Sequence, residues 1–231
     1  MTSDAAVMMA LSSNTGHLLQ RFFDAMLSAY GPQGWWPGRG RTEIVIGAIL
    51  TQNTNWKNVE KAIAQLRANG LLDWGALRDV ALDDLARCIR PAGYYNLKAR
   101  RLKNFVAWLW ENHDGDMDRL EDVGLGPLRE ALLGINGIGS ETADAILLYA
   151  LNRPTFVIDA YTGRIARRHG LIDSEADGHE LKAMFEDHLP ADVALFNEYH
   201  ALLVEVGKRH CKPRAKCEGC PLAAFEHDEN G

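Results

Sequence analysis

Two groups of residues in this 231-residue chain have types and spacings that could carry chemistry. The first is the run Leu133-Gly134-Ile135-Asn136-Gly137-Ile138-Gly139-Ser140-Glu141-Thr142-Ala143, followed downstream by Val157-Ile158-Asp159. This pattern predicts a helix ending near Leu133, a tight Gly-x-Gly turn, and a new helix opening at Ser140 or Glu141. Glycines at 137 and 139 let the backbone approach another surface closely. Amides at the start of the next helix point outward with the positive end of its dipole, which suits a phosphate. Taken alone, such a turn reads first as an ordinary connection between helices. Asp159 comes directly after two β-branched residues and before a helix expected over Tyr161–His169. A carboxylate there caps the helix and still faces outward, so capping and chemistry are compatible.

The second group is Cys211-x5-Cys217-x2-Cys220, with Lys208, Arg209, Lys212, Arg214 and Lys216 around it. Three clustered thiols point to a metal rather than to a disulfide scaffold, which would spread more cysteines over a shorter secreted chain. His210 or His227 could complete a zinc site. The fourth cysteine, Cys88, is on an apolar helix face and reads as core.

The elements that must position these groups are helices. Apolar residues recur at helical spacing in Trp56, Val59, Ile63 and Leu66, in Leu77, Ala81, Leu85 and Cys88, and in Leu102, Phe105, Val106 and Leu109. Ala143, Ile146, Leu147 and Ala150 form another stripe, as do Leu195, Tyr199, Leu202, Leu203 and Val206. Ile44–Leu50 is apolar on nearly every side, which predicts a buried central helix. Only Thr155–Ile158 is strand-like, and it is too short to found a sheet. Gly/Pro breaks divide the pattern into about nine or ten helices, an all-α chain. Hydrophobic residues make up 47% and charged residues 24% of the sequence, which excludes a disordered chain. No apolar run is long enough to span a bilayer. The first twenty residues lack a basic start and carry Asp4, a poor leader, so the cytoplasm and a monomer are the expectations. The net charge of −6 excludes a uniformly basic nucleic-acid coat. Basic residues nevertheless gather in three places: Lys98 to Lys103, Arg164 to Arg168, and around the thiols. Each is either a phosphate-facing patch or a solvated helix face.

Together, Gly137-Ile138-Gly139-Ser140-Glu141-Thr142-Ala143, Val157-Ile158-Asp159, the segment Leu50-Thr51-Gln52-Asn53-Thr54 and the C-terminal cysteines resemble the helix–hairpin–helix DNA glycosylase superfamily typified by endonuclease III. The likeness runs from about Trp35 to Cys220. It implies an all-α fold of two helical domains flanking a DNA-binding cleft. One would be a six-helix domain over 33–153 with the Gln52 loop and the Gly137–Gly139 hairpin. The other would combine 1–32 with 154–231 and carry Asp159 and the cysteine loop. It further implies that Gly137, Gly139, Ser140 and Thr142 grip double-stranded DNA, that a damaged base is flipped out of the stack, and that Gln52 fills the gap it leaves. Asp159 matches the catalytic aspartate.

Members that also cleave the strand place lysine where this chain has Glu141, and a carboxylate cannot form an imine. The resemblance therefore implies a monofunctional glycosylase. Trp35-Trp36-Pro37, Trp56 and Arg90 to Ala99 are most similar to 3-methyladenine DNA glycosylases of the endonuclease III type. A base pocket of Trp35, Trp36, Trp56 and Glu141 would suit a cationic alkylpurine, since π faces attract cations. A packing role competes for the tryptophans, above all Trp56. Oxidised or mismatched bases, and a non-enzymatic DNA-binding role, are the other readings. The thiols are similar to the family's [4Fe–4S] loop, but with one residue fewer between the first two cysteines and no fourth cysteine. Glu226 or His227 stands at that place, which leaves a cluster, zinc or an empty loop open.

Overall fold

The structure, a computed structural model, describes residues 14–228. The first thirteen residues, including Asp4 and most of the stretch weighed as a leader, lie outside the described residues. Among the described residues every regular element is helical. Two compact units form, one from the segments up to Trp35 and from Pro154 onward, the other from Trp36–Arg153.

The Trp36–Arg153 unit begins with α2 (Arg41–Thr51), after α1 of the other unit (Asn14–Tyr30). Its residues Val45 to Leu50 are all buried, as the unbroken apolar run predicts. α3 (Trp56–Ala68) starts where Asn55 accepts the Asn58 N–H at 3.1 Å, and it buries Val59, Ala62, Ile63 and Leu66. The stripe from Leu77 to Cys88 does not make one helix. It divides into α4 (Trp74–Asp79) and α5 (Leu82–Cys88), because Val80 is extended and ends the first. Lys103 from α6 (Tyr95–His113) reaches the freed carbonyls of Arg78 and Val80 at 2.8 and 2.5 Å. Cys88 is half-buried rather than fully in the core. α7 (Leu125–Leu133) leads through the glycine turn into α8 (Ser140–Ala145), which closes in a π-helical turn over Ile146–Ala150.

The other unit consists of α1, α9 (Ala160–Arg168), α10 (Gly178–His188) and α11 (Val193–Arg209). Thr155 to Ile158 are extended without pairing. They carry Phe156 into the core, where it stacks on Phe185 at 4.1 Å and meets Phe196 and Tyr199 edge-on. The buried Tyr199 hydroxyl donates to the Leu19 carbonyl at 2.9 Å, which ties α11 to α1. An aromatic pair adds about 0.5–1.5 kcal/mol beyond its buried area. Phe156→Leu removes three such pairs and should therefore lower stability by at least about 1.5 kcal/mol while preserving the fold, as a thermal melt would show.

Candidate nucleic-acid interface and active site

The glycine turn is built by three constraints. Ile138 N–H bonds back to the Ile135 carbonyl at 3.0 Å, and the Ile135 and Ile138 side chains are buried beneath the turn. Gly137 takes φ +97°, which a side chain adopts only with strain. A Cβ on Gly137 would also lie 2.3 Å from Arg101 Cγ, so the stem of Arg101 occupies that space. Gly139 differs: its backbone is extended, the residue is exposed, and a Cβ there would meet nothing within 4 Å. The protein's own packing requires a glycine at 137 but not at 139.

An opening of about 510 Å³ lies over the turn, lined by Gln52, Arg101 and Gly137 to Thr142. Gln52 reaches across it. Its Nε2 donates to the Gly137 carbonyl at 3.0 Å and to Oγ1 of the buried Thr142 at 2.9 Å, and its Oε1 accepts from Arg101 Nη1. Ser140 and Glu141 are exposed at the rim. The structure thus brings Gln52, Gly137, Gly139, Ser140, Glu141 and Thr142 to one place.

Two of the four cations between Lys98 and Lys103 are turned inward rather than outward. Lys98 is buried, with Nζ donating to the Leu50 and Ala92 carbonyls at 2.9 and 2.8 Å. Burial, and then the neighbouring Arg101 charge, brings its ammonium down to about 8. Lys103 is spent on Arg78 and Val80, as described, which leaves Arg100 exposed.

In the other unit, Asp159 is the N-cap of α9. Its Oδ1 accepts from Thr162 N–H at 2.7 Å and from Thr162 Oγ1 at 2.9 Å. The side chain is only 12% exposed, and Oδ2 lies 3.8 Å from Nε2 of the buried His200. Burial alone would push the carboxyl up. The His200 imidazole, followed by the two Thr162 donors, overcomes this and holds it below the usual carboxylate range. Such a depressed carboxyl stabilises the fold above its unfolded pKa of about 3.9, and that contribution is lost as pH falls through the folded value. His200→Leu should therefore raise the Asp159 pKa and move the acid limb of any Asp159-dependent activity upward in pH. A limb that stays in place would show that His200 does not act on the carboxylate. Sequence reasoning missed His200, although an ionisable residue between Tyr199 and Ala201 on an apolar helix was a signal.

The tryptophans divide between the units. Trp36 meets Trp56 edge-on at 5.0 Å and tilts against the buried Tyr149 at 5.1 Å; the two indoles lie over Gly47, where a Cβ would crowd both at 3.3 Å. Both indoles are half-buried. Trp35 belongs to the other unit, where Lys208 Nζ lies 5.6 Å from its ring centre.

Cys211, Cys217, Cys220 and His227 line a narrow cavity of about 20 Å³, room for one water-sized body. Glu226 is exposed and contributes only its backbone carbonyl, which accepts from His169 Nδ1 at 2.9 Å. Arg168, buried at the loop's centre, donates to Cys211 Sγ at 3.3 Å and to the Lys212 and Pro213 carbonyls. Burial pushes the Cys220 thiol up. Among the described residues no three His, Cys, Asp or Glu side chains converge as an ion-holding group. With three cysteines, the loop as folded does not supply the four thiolates of a [4Fe–4S] cluster.

The sequence pattern of the HhH-GPD superfamily of base excision DNA repair proteins matches residues 46–191. A protein of Methanocaldococcus jannaschii, MJ1434, named provisionally as a DNA repair glycosylase, is 46% identical over 216 residues, 93% of this chain and 98% of its own. Among solved structures, an H. pylori 3-methyladenine DNA glycosylase (MagIII) bound to 1,N6-ethenoadenine matches with TM-score 0.70 and 27% identity, over 85% of this chain and 98% of that one. A non-covalent endonuclease III–DNA complex matches in fold with TM-score 0.79, at 22% identity, over 93% and 96% of the two chains. With its glycine turn, its capped aspartate and these likenesses, the chain belongs to the HhH-GPD superfamily of base excision DNA repair proteins and is a DNA N-glycosylase.

Proposed function

We propose that this protein is a monofunctional glycosylase that removes alkylated purines such as 3-methyladenine from double-stranded DNA, with Asp159 as its catalytic carboxylate. One observation carries the assignment of Asp159: a nearly buried carboxylate fixed by two Thr162 donors, with the His200 imidazole 3.8 Å from its other oxygen. As the glycosidic bond breaks, its electron pair leaves with the cationic base, which departs neutral. Positive charge develops on the deoxyribose, and the fixed carboxylate offsets it until water adds at that carbon and gives up a proton. An alkylated purine is already a good leaving group, so one carboxylate suffices.

Gly139 supports the DNA grip. Its missing side chain serves no internal contact, so the bare backbone is explained by an outside partner that comes close, such as a backbone phosphate. Glu141, exposed at the opening, supports the monofunctional reading, because it offers no amine to attack the sugar. Borohydride should therefore trap no covalent complex with damaged DNA. The half-buried Trp36 and Trp56 support a cationic purine, whose charge a π face attracts by about 0.5–2 kcal/mol. The name of the H. pylori neighbour points the same way.

The test is a substrate panel of methylated and oxidised-pyrimidine duplexes, scored by the free base released. Release of methylated purines supports the reading. Release of oxidised pyrimidines alone overturns it in favour of the endonuclease III-like specificity.

A further inference from the structure

Helix α6 places three polar side chains one turn apart on one face, and each reaches a different part of the site. Lys98 holds the Leu50 carbonyl, two residues before Gln52. Arg101 holds Gln52 itself. Asn104 Nδ2 donates to the Asn136 carbonyl at 2.9 Å, the residue before Gly137. Both amide hydrogens of Gln52 are spent on the turn. The Gln52 loop and the glycine turn are therefore held as one piece from α6, with Arg101 at its middle.

Arg101 is incompletely paired. Its guanidinium carries five N–H donors, and Nη1 has Gln52 as acceptor. Nε is buried without a hydrogen-bond partner, and the side chain lines the opening over the turn. A guanidinium binds a phosphate oxygen through its free N–H groups, and Nη2 is the terminal nitrogen that Gln52 leaves unfilled. We propose that Arg101 is a DNA-contact residue: it takes a backbone phosphate entering the opening beside Gly139, while its Nη1 keeps Gln52 in place. The proposal rests on the reading of the turn as the DNA grip. It explains why Gly137 yields its side-chain space to Arg101 while Gly139 stays open.

The test measures the salt dependence of binding to a duplex carrying a stable abasic-site analogue. Wild type is compared with Arg101→Met, Arg101→Gln and Arg101→Lys, each checked by thermal melt. One lost phosphate contact lowers the slope of log affinity against log salt by about 1. The neutral variants should show that loss, and Arg101→Lys should keep the wild-type slope because it keeps the charge. A wild-type slope in a folded neutral variant would overturn the proposal and leave Arg101 an internal strut. So would an equal loss of slope in Arg101→Lys. If wild type binds duplex but releases no base from any substrate, the glycosylase reading fails while the slope comparison still decides the role of Arg101.

Discussion

Asp159→Asn should reduce base release by about 10²–10⁴-fold, the range a positioned acid–base or charge-stabilising group contributes, while leaving duplex affinity within a few-fold of wild type. Asparagine is the informative choice because Asp159 caps a helix as well as holding the proposed catalytic charge. As N-cap of α9 it accepts the Thr162 N–H, and asparagine caps nearly as well as aspartate. The stability of the unit should therefore change little, and the loss can be read as lost charge. Asp159→Ala would also remove the cap, at about 0.5–2 kcal/mol, and would confuse the two effects. Unchanged turnover in Asp159→Asn would remove this carboxylate from the mechanism.

Gly137 and Gly139 should fail in opposite ways. Gly137→Ala forces a side chain into positive φ, at about 1–2 kcal/mol, and drives its Cβ against Arg101, with overpacking of about 1–3 kcal/mol more. A clear drop in thermal stability is expected, with DNA binding lost as the turn deforms. Gly139→Val has open space and an ordinary extended backbone, so the melt should barely move. Its branched side chain would stand where a phosphate must approach, and duplex affinity should fall at least about tenfold, 1.4 kcal/mol or more. A Gly139→Val variant that binds DNA like wild type would mean that nothing approaches the backbone there.

These contrasts mark how far the sequence alone reaches. Helical periodicity located the buried α2, the opening of α8 at Ser140 and the helix after Asp159, because each rests on local spacing and capping. It joined α4 and α5, because a stripe does not register two extended residues, Val80 and Ala81. Charge clusters misled more. Lys98 and Lys103 looked like surface cations, yet they cap carbonyls from distant segments. Arg164 and Arg168 likewise serve the Cys211 and Lys212 carbonyls. Such pairings depend on tertiary approach, which no spacing encodes. For the same reason no spacing shows directly that Gln52 is tied to the turn or that His200 faces Asp159. The signals present were indirect: a glycine needed by a neighbour, and a histidine on an apolar helix face.

Base removal without strand cleavage is the activity proposed for this protein, and one assay addresses it. A labelled duplex bearing 3-methyladenine is incubated with the protein, and free base and strand breaks are measured before and after hot alkali. Free base together with breaks that form only after alkali is the predicted result. Strand breaks that accompany base release without alkali, or no base release at all, would contradict it.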